Sequence, residues 1–207
     1  MRSTNALIQI RNLCFAWPRH PVIQDLCADL PTGLSLVTGP DGCGKSTLMR
    51  LIAGDQRADA GSIRLADTPW SPQDAPWREH VFWIDPQSTE HEAVRAGDCL
   101  EQLSTRCPGF SHEAMTDLVD GFGLQPHLHK PLYMLSTGSQ RKVWLTAAFA
   151  AGARVTLLDQ PFAALDAPAT RFLRELLQEV EGHASRAWVI ADHEAPPGVP
   201  LAATLRL

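Results

Sequence analysis

The segment Gly39-Pro40-Asp41-Gly42-Cys43-Gly44-Lys45-Ser46-Thr47 constrains this chain's fold more than any other. It fits the spacing G-x-x-x-x-G-K-[ST] of a phosphate-binding loop. A strand-like run, Leu34–Thr38, precedes it, and a helix-like run, Lys45–Ala53, follows, with Gly54 placed to cap its end. The glycines let backbone N–H groups curl around phosphate oxygens, and the next helix points its positive end at the anion. Lys45 then reaches the β- and γ-phosphates, and the Ser46 hydroxyl is a ligand for Mg²⁺. A strand–loop–helix of this kind calls for an α/β architecture with a largely parallel sheet covered by helices.

The rest of the chain supports that architecture. Further short strands are expected at Leu7–Leu13, Gly61–Ala66, His80–Asp85, Val155–Leu158 and Ala187–Ala191. Strand signal fades between about residues 88 and 140, where Asp98–Cys107 and His112–Phe122 read as helices punctuated by glycine and proline. This stretch reads as a helical insertion. Between the last two strands, Phe172, Leu173, Leu176, Leu177 and Val180 fall on one face of a helix. Pro168 suits its first turn and Gly182 its end.

A phosphate loop with Mg²⁺ needs an acidic partner. Val155-Thr-Leu-Leu-Asp159 supplies one, an apolar strand ending in a carboxylate. It would lie at the carboxyl edge of the sheet, where open α/β sheets bind ligands.

With these motifs in order, the chain resembles the ATP-binding cassette (ABC) ATPases over almost its whole length. Leu135-Ser136-Thr137-Gly138-Ser139 looks like the family signature LSGGQ, Gln87 like the Q-loop glutamine, Asp166 like the D-loop aspartate and His193 like the switch histidine. Trp17 stands where the family stacks an aromatic on adenine. The resemblance implies a P-loop nucleotide-hydrolase core with a mostly parallel sheet, an N-terminal antiparallel β portion and a helical insertion subdomain. It implies ATP and Mg²⁺ as cofactors, with Ser46, Gln87 and Asp159 at the metal. It assigns Lys45, Gln87, Gln160 and His193 to the reaction. Residues 135–139 would complete the nucleotide site of an opposite subunit, so the chain would act as a homodimer or with another ABC ATPase chain. Integral membrane subunits would hold the transport path. A non-transport ABC ATPase is the rival reading.

Each role has a plainer counterpart. Trp17 is one of six tryptophans and could be a core residue. Gln87 follows Pro86 and could be a turn residue. Ser136 could cap a helix and do nothing else. Cys43 could be buried and inert. His127 and His129 read as solvent-facing loop residues, not as metal ligands.

Two departures from the family pattern stand out. The signature carries Thr137 for a glycine and Ser139 for the glutamine. More consequentially, Gln160 stands where the family has the glutamate that polarises the attacking water. Glutamine holds water but accepts no proton at neutral pH. Either this is a natural, slowly hydrolysing site, which admits a nucleotide-gated clamp, or it is an engineered replacement that traps the ATP-bound state.

Composition sets the remaining bounds. With 207 residues, 18 basic and 23 acidic, the net charge is −5. That suits a single domain over 1–207 and argues against nucleic-acid partners, which select a basic excess. Five cysteines without CxxC spacing fit a reducing compartment. No run is long and apolar enough for a bilayer span or a signal peptide. The chain is therefore expected in the cytoplasm, peripheral on the inner face of the membrane.

Overall fold

The computed structural model describes residues 6–18, 20–180 and 184–207. Its centre is a five-stranded sheet in the order β5-β6-β7-β3-β8. The strands are β3 (Gly33–Thr38), β5 (Val81–Phe82), β6 (Val155–Asp159), β7 (Ala187–Ala191) and β8 (Ala203–Arg206). Every neighbouring pair is parallel. Residues 33–37 and all of β7 are buried, the near-continuous apolar pattern of strands covered on both faces. A second, antiparallel sheet has the order β2-β1-β4, from β1 (Ala6–Trp17), β2 (His20–Pro31) and β4 (Ala60–Leu65).

Helix α1 (Lys45–Ala53) lies between the two sheets. Its Leu48, Met49 and Ile52 pack with Ile8 and Ile10 of β1 and Val189 of β7. The other face of the parallel sheet presents Leu36 and Ile190. These meet α5 (Thr137–Ala150) through Val143 and Leu145, and α6 (Ala167–Glu179) through Leu173 and Leu177. Alternate residues of β3 and β7 thus feed two separate cores, as the period of two requires. Both cores form without cross-links, and all five cysteines are free.

The helical insertion carries α3 (Ala96–Ser104) and α4 (His112–Gly121), with α5 returning the chain to β6. A short helix, α2 (Trp77–His80), precedes β5. Several boundaries differ from the sequence expectation. Helix α3 stops at Ser104, where the Ser104 and Thr105 hydroxyls turn back to the carbonyls of Glu101 and Gln102. Strand β5 keeps two residues of the six expected, because Trp83–Asp85 leave the sheet to carry the next turn toward α1. Strands β2 and β8 were not expected. The sequence of β2 mixes Asp25, Asp29 and two prolines with its apolar residues, and β8 is a four-residue edge. The Gly182 stop expected for α6 lies outside the described residues.

Candidate functional site

Three parallel strands end side by side and build one edge. Strand β3 runs into the phosphate loop, β6 ends at Asp159, and β7 ends just before Asp192 and His193. Gly44 begins α1 at φ +108°, and a Cβ there would lie 2.6 Å from Val22 Cγ1. Glycine is therefore required by both conformation and space. Gly42 has φ +76° and open space where a Cβ would project. At Gly39 a Cβ would meet Cys43 Sγ and the Leu207 carbonyl, each at 2.7 Å. Cys43 is thus folded over the base of the loop.

Lys45 is only 6% exposed. Its ammonium donates to the Gly39 and Pro40 carbonyls at 2.8 and 3.0 Å, which holds it inside the loop. The Thr38 hydroxyl donates to the His193 carbonyl at 2.7 Å, and His193 N–H donates to Asp192 Oδ1 at 2.8 Å. These bonds fix the histidine over the loop, where its Nε2 lies 3.4 Å from Asp41 Oδ1.

A cavity of about 210 Å³ lies beside α1 and is lined by Ser46, Arg50, Asp85, Gln87, Asp159 and Gln160. Arg141 reaches it from α5. Burial pushes the Asp159 carboxyl above its ordinary pKa, and the Ser46 hydroxyl and Arg141 offset only part of that rise. Asp159, Ser46 and Gln87 offer one charged and two neutral oxygens. That set suits Mg²⁺, which takes few protein carboxylates and completes its shell with water and phosphate. The phosphate-loop lysine, the cradle and this cavity also suit a nucleotide triphosphate.

Three residues of this site carry no motif. Arg50 binds Asp85 through two nitrogens at 3.0 and 2.9 Å, and reaches Gln87 Oε1 at 3.4 Å. Asp85 also accepts the Gln87 backbone N–H at 2.9 Å. The Arg50–Asp85 pair therefore hangs Gln87 over the cavity. Arg141 donates to the carbonyls of Asp159 and Gln160, and burial lowers its pKa. A lone Arg in a helix signals nothing locally. The partners that define these roles lie 18 to 37 residues away.

Trp17 ends β1 beside the loop. It is 37% exposed and its indole N–H faces Thr47 Oγ1 at 3.4 Å, with Phe15 edge-on at 5.0 Å. It is an exposed aromatic, not a core one. The signature lies at the start of α5. Ser136 is its N-cap and accepts the Ser139 N–H at 3.1 Å, while Ser136 and Thr137 face solvent and Leu135 is buried. Gly138 tolerates no side chain, since a Cβ would lie 2.3 Å from the Ala164 carbonyl. Among the described residues no hydrogen bond joins 135–139 to the phosphate loop of the same chain. Asp166 caps α6 and pairs with Lys142 at 2.6 Å, a contact that lowers its pKa. His127 and His129 join no metal-holding cluster among the described residues.

The fold and this edge define a phosphate-loop nucleotide hydrolase with a helical insertion. The family model described as ABC transporter matches residues 28–163, and the chain belongs to that family. It is an ATP-binding, ATP-hydrolysing subunit that works with membrane subunits of a transporter. The taurine import ATP-binding protein TauB of Pseudomonas fluorescens is 32% identical over 98% of this chain and 77% of its own length. Its counterpart in Yersinia pestis is 29% identical over 97% and 79%. The sulfate/thiosulfate import ATP-binding protein CysA of Mesorhizobium japonicum is 30% identical over 94% and 58%. Among solved structures, an ATP-binding subunit of an ABC transporter superposes with TM-score 0.78 at 22% identity, over 90% of this chain and 79% of the other. An ABC transporter ATP-binding protein of Pyrococcus furiosus gives 0.77 at 20% identity, over 97% and 96%. No helix among the described residues is long and apolar enough to cross a membrane.

Proposed function

We propose that this chain, a single nucleotide-binding domain over residues 1–207, powers uptake of a solute from the cytoplasmic face of a membrane. It does so as an ATP-driven homodimer or heterodimer of ABC ATPase chains. Lys45, Ser46, Asp159, Gln160 and His193 converge at the ends of three adjacent strands, and this carries the reading. An inward direction is supported by the relatives, which import taurine, sulfate or thiosulfate.

The roles follow from position. The loop Gly39–Thr47 holds the phosphates, and Trp17 offers its face to the base. Ser46, Gln87 and Asp159 hold Mg²⁺, which when bound neutralises charge on the β- and γ-phosphates. Gln160 orients water at the cavity, and His193 donates to the terminal phosphate. Ser136 and Thr137 face outward and, with Gly138, complete the partner's site, with Asp166 of the D-loop beside them. Gln160 favours a second reading, a clamp that closes on ATP and hydrolyses it slowly.

Light scattering tests the assembly. ATP with Mg²⁺ should double the mass, and Ser136→Arg should abolish that rise while calorimetry still finds ATP bound to the monomer. An Ser136→Arg dimer equal to the parent's would remove the signature from the interface.

A further inference from the structure

Arg141 has a role that none of the motifs assigns. It sits on α5, and its Nη1 donates to the Gln160 carbonyl at 2.6 Å and the Asp159 carbonyl at 3.0 Å. Its Nε is buried and has no hydrogen-bond partner. The carboxylates of Asp159 and Asp192 lie close enough to offset its charge. A guanidinium that gives up hydration for two backbone carbonyls is costly to bury. What it fixes there is a turn of unusual shape. Gln160 has φ +45°, a left-handed conformation that residues with side chains rarely adopt, and its N–H is pinned to the Ala191 carbonyl at 2.8 Å. In that conformation Gln160 lines the cavity with Ser46, Gln87 and Asp159.

Two neighbours of Arg141 act on the same segment. The Cα of Gly138 is pressed against the Ala164 carbonyl, and Lys142 holds Asp166. The start of α5 therefore grips residues 159–166 at three points. Only the Arg141 contact reaches the residue that faces the cavity.

We propose that Arg141 is a positioning residue for ATP hydrolysis. It holds the Asp159–Gln160 carbonyls so that the Gln160 side chain stays turned toward the metal and terminal-phosphate space. The proposal rests on the nucleotide reading above. It makes Arg141 act through Gln160, from the wall of the cavity, by its hydrogen bonds to the backbone carbonyls of residues 159 and 160. Turnover should therefore depend on it while nucleotide affinity should not.

The test uses the Gln160→Glu chain, in which a carboxylate makes turnover easier to follow. Adding Arg141→Met should lower kcat about tenfold or more, the scale of one lost charged hydrogen bond, and leave the ATP dissociation constant within about twofold. Hydrogen exchange at the Gln160 amide of the otherwise unchanged chain should quicken by about tenfold. The second half of α5 should keep its protection. Arg141→Lys can still donate to one carbonyl and should recover part of the rate. It also serves alone, with about a threefold loss expected, if Arg141→Met does not fold. Unchanged kcat, or affinity falling in step with kcat, overturns the proposal. If Gln160→Glu shows no turnover, the exchange result decides, and unchanged protection at Gln160 refutes the role. A parent chain that binds no ATP in calorimetry overturns the nucleotide reading itself, a result separate from any effect of Arg141.

Discussion

Replacing Lys45 by alanine isolates the contribution of the phosphate loop. In the free chain the ammonium is buried and bonded to two carbonyls of its own loop. Gly39 is partly exposed and Pro40 exposed, and water can take over both carbonyls when the lysine is gone. The fold should therefore lose little. Binding is different. Charged hydrogen bonds are each worth about 1.5–3 kcal/mol, so two bonds to phosphate oxygens contribute about 3–6 kcal/mol. Lys45 surrenders its two carbonyl bonds to make them, and these offset about 3 kcal/mol at the low end of the same range. The net loss is about 0–3 kcal/mol, centred near 1.5 kcal/mol, or about tenfold in the ATP dissociation constant. Calorimetry with ATP and AMP measures it. Lys45→Ala should weaken ATP by that factor and leave AMP, which lacks the outer phosphates, nearly unchanged. Equal ATP affinity in both chains, or AMP weakened as much as ATP, would refute the assignment.

Two further outcomes follow from single side chains. Gln160→Glu should raise ATP turnover by about 10²–10⁴-fold, the usual contribution of a general base, and phosphate release under saturating ATP reads it directly. Turnover left unchanged by the carboxylate would mean that residue 160 does not limit the reaction. Cys43 is partly exposed at the base of the loop, whereas burial pushes Cys99 up to about 12 and also raises Cys107, so those two should stay inert at neutral pH. A maleimide should therefore label Cys43 and block ATP binding, and ATP should protect it. Peptide mass mapping separates Cys43 from the accessible Cys14 and Cys27, and equal labelling of Cys43 with and without ATP would refute its placement.

What was legible in the sequence was what short-range physics decides. Helix α1 begins and ends where a glycine-rich loop and Gly54 place it, because left-handed glycines at 44 and 54 close both ends. Strand β7 was legible because five buried residues in a row fit only a strand covered on both faces. Strand β2 was not, because pairing with β1 imposes its extended shape on a sequence with two aspartates and two prolines. The site divides along the same line. Lys45 and the Ser136 cap bond backbone within a few residues, and Ser46 is named by its place beside Lys45, so their spacing declares them.

Gln160 shows why the remainder needed coordinates. Its side-chain chemistry was readable from the sequence, but its direction was not. Nothing near residue 160 is a glycine that would predict φ +45°, and a glutamine there would ordinarily settle into extended or helical backbone. The turn persists because three groups agree on it. The Ala191 carbonyl takes its N–H, Arg141 takes its carbonyl, and Ala163 N–H shares that carbonyl at 3.0 Å. Two of these groups come from elements that meet Gln160 only in the folded chain. A motif can therefore name the residue that faces the terminal phosphate, while the residues that aim it are set by tertiary contact. Arg141 should accordingly matter more to the rate than its unremarked place in the sequence suggests, and the pairing of Arg141→Met with Gln160→Glu measures how much.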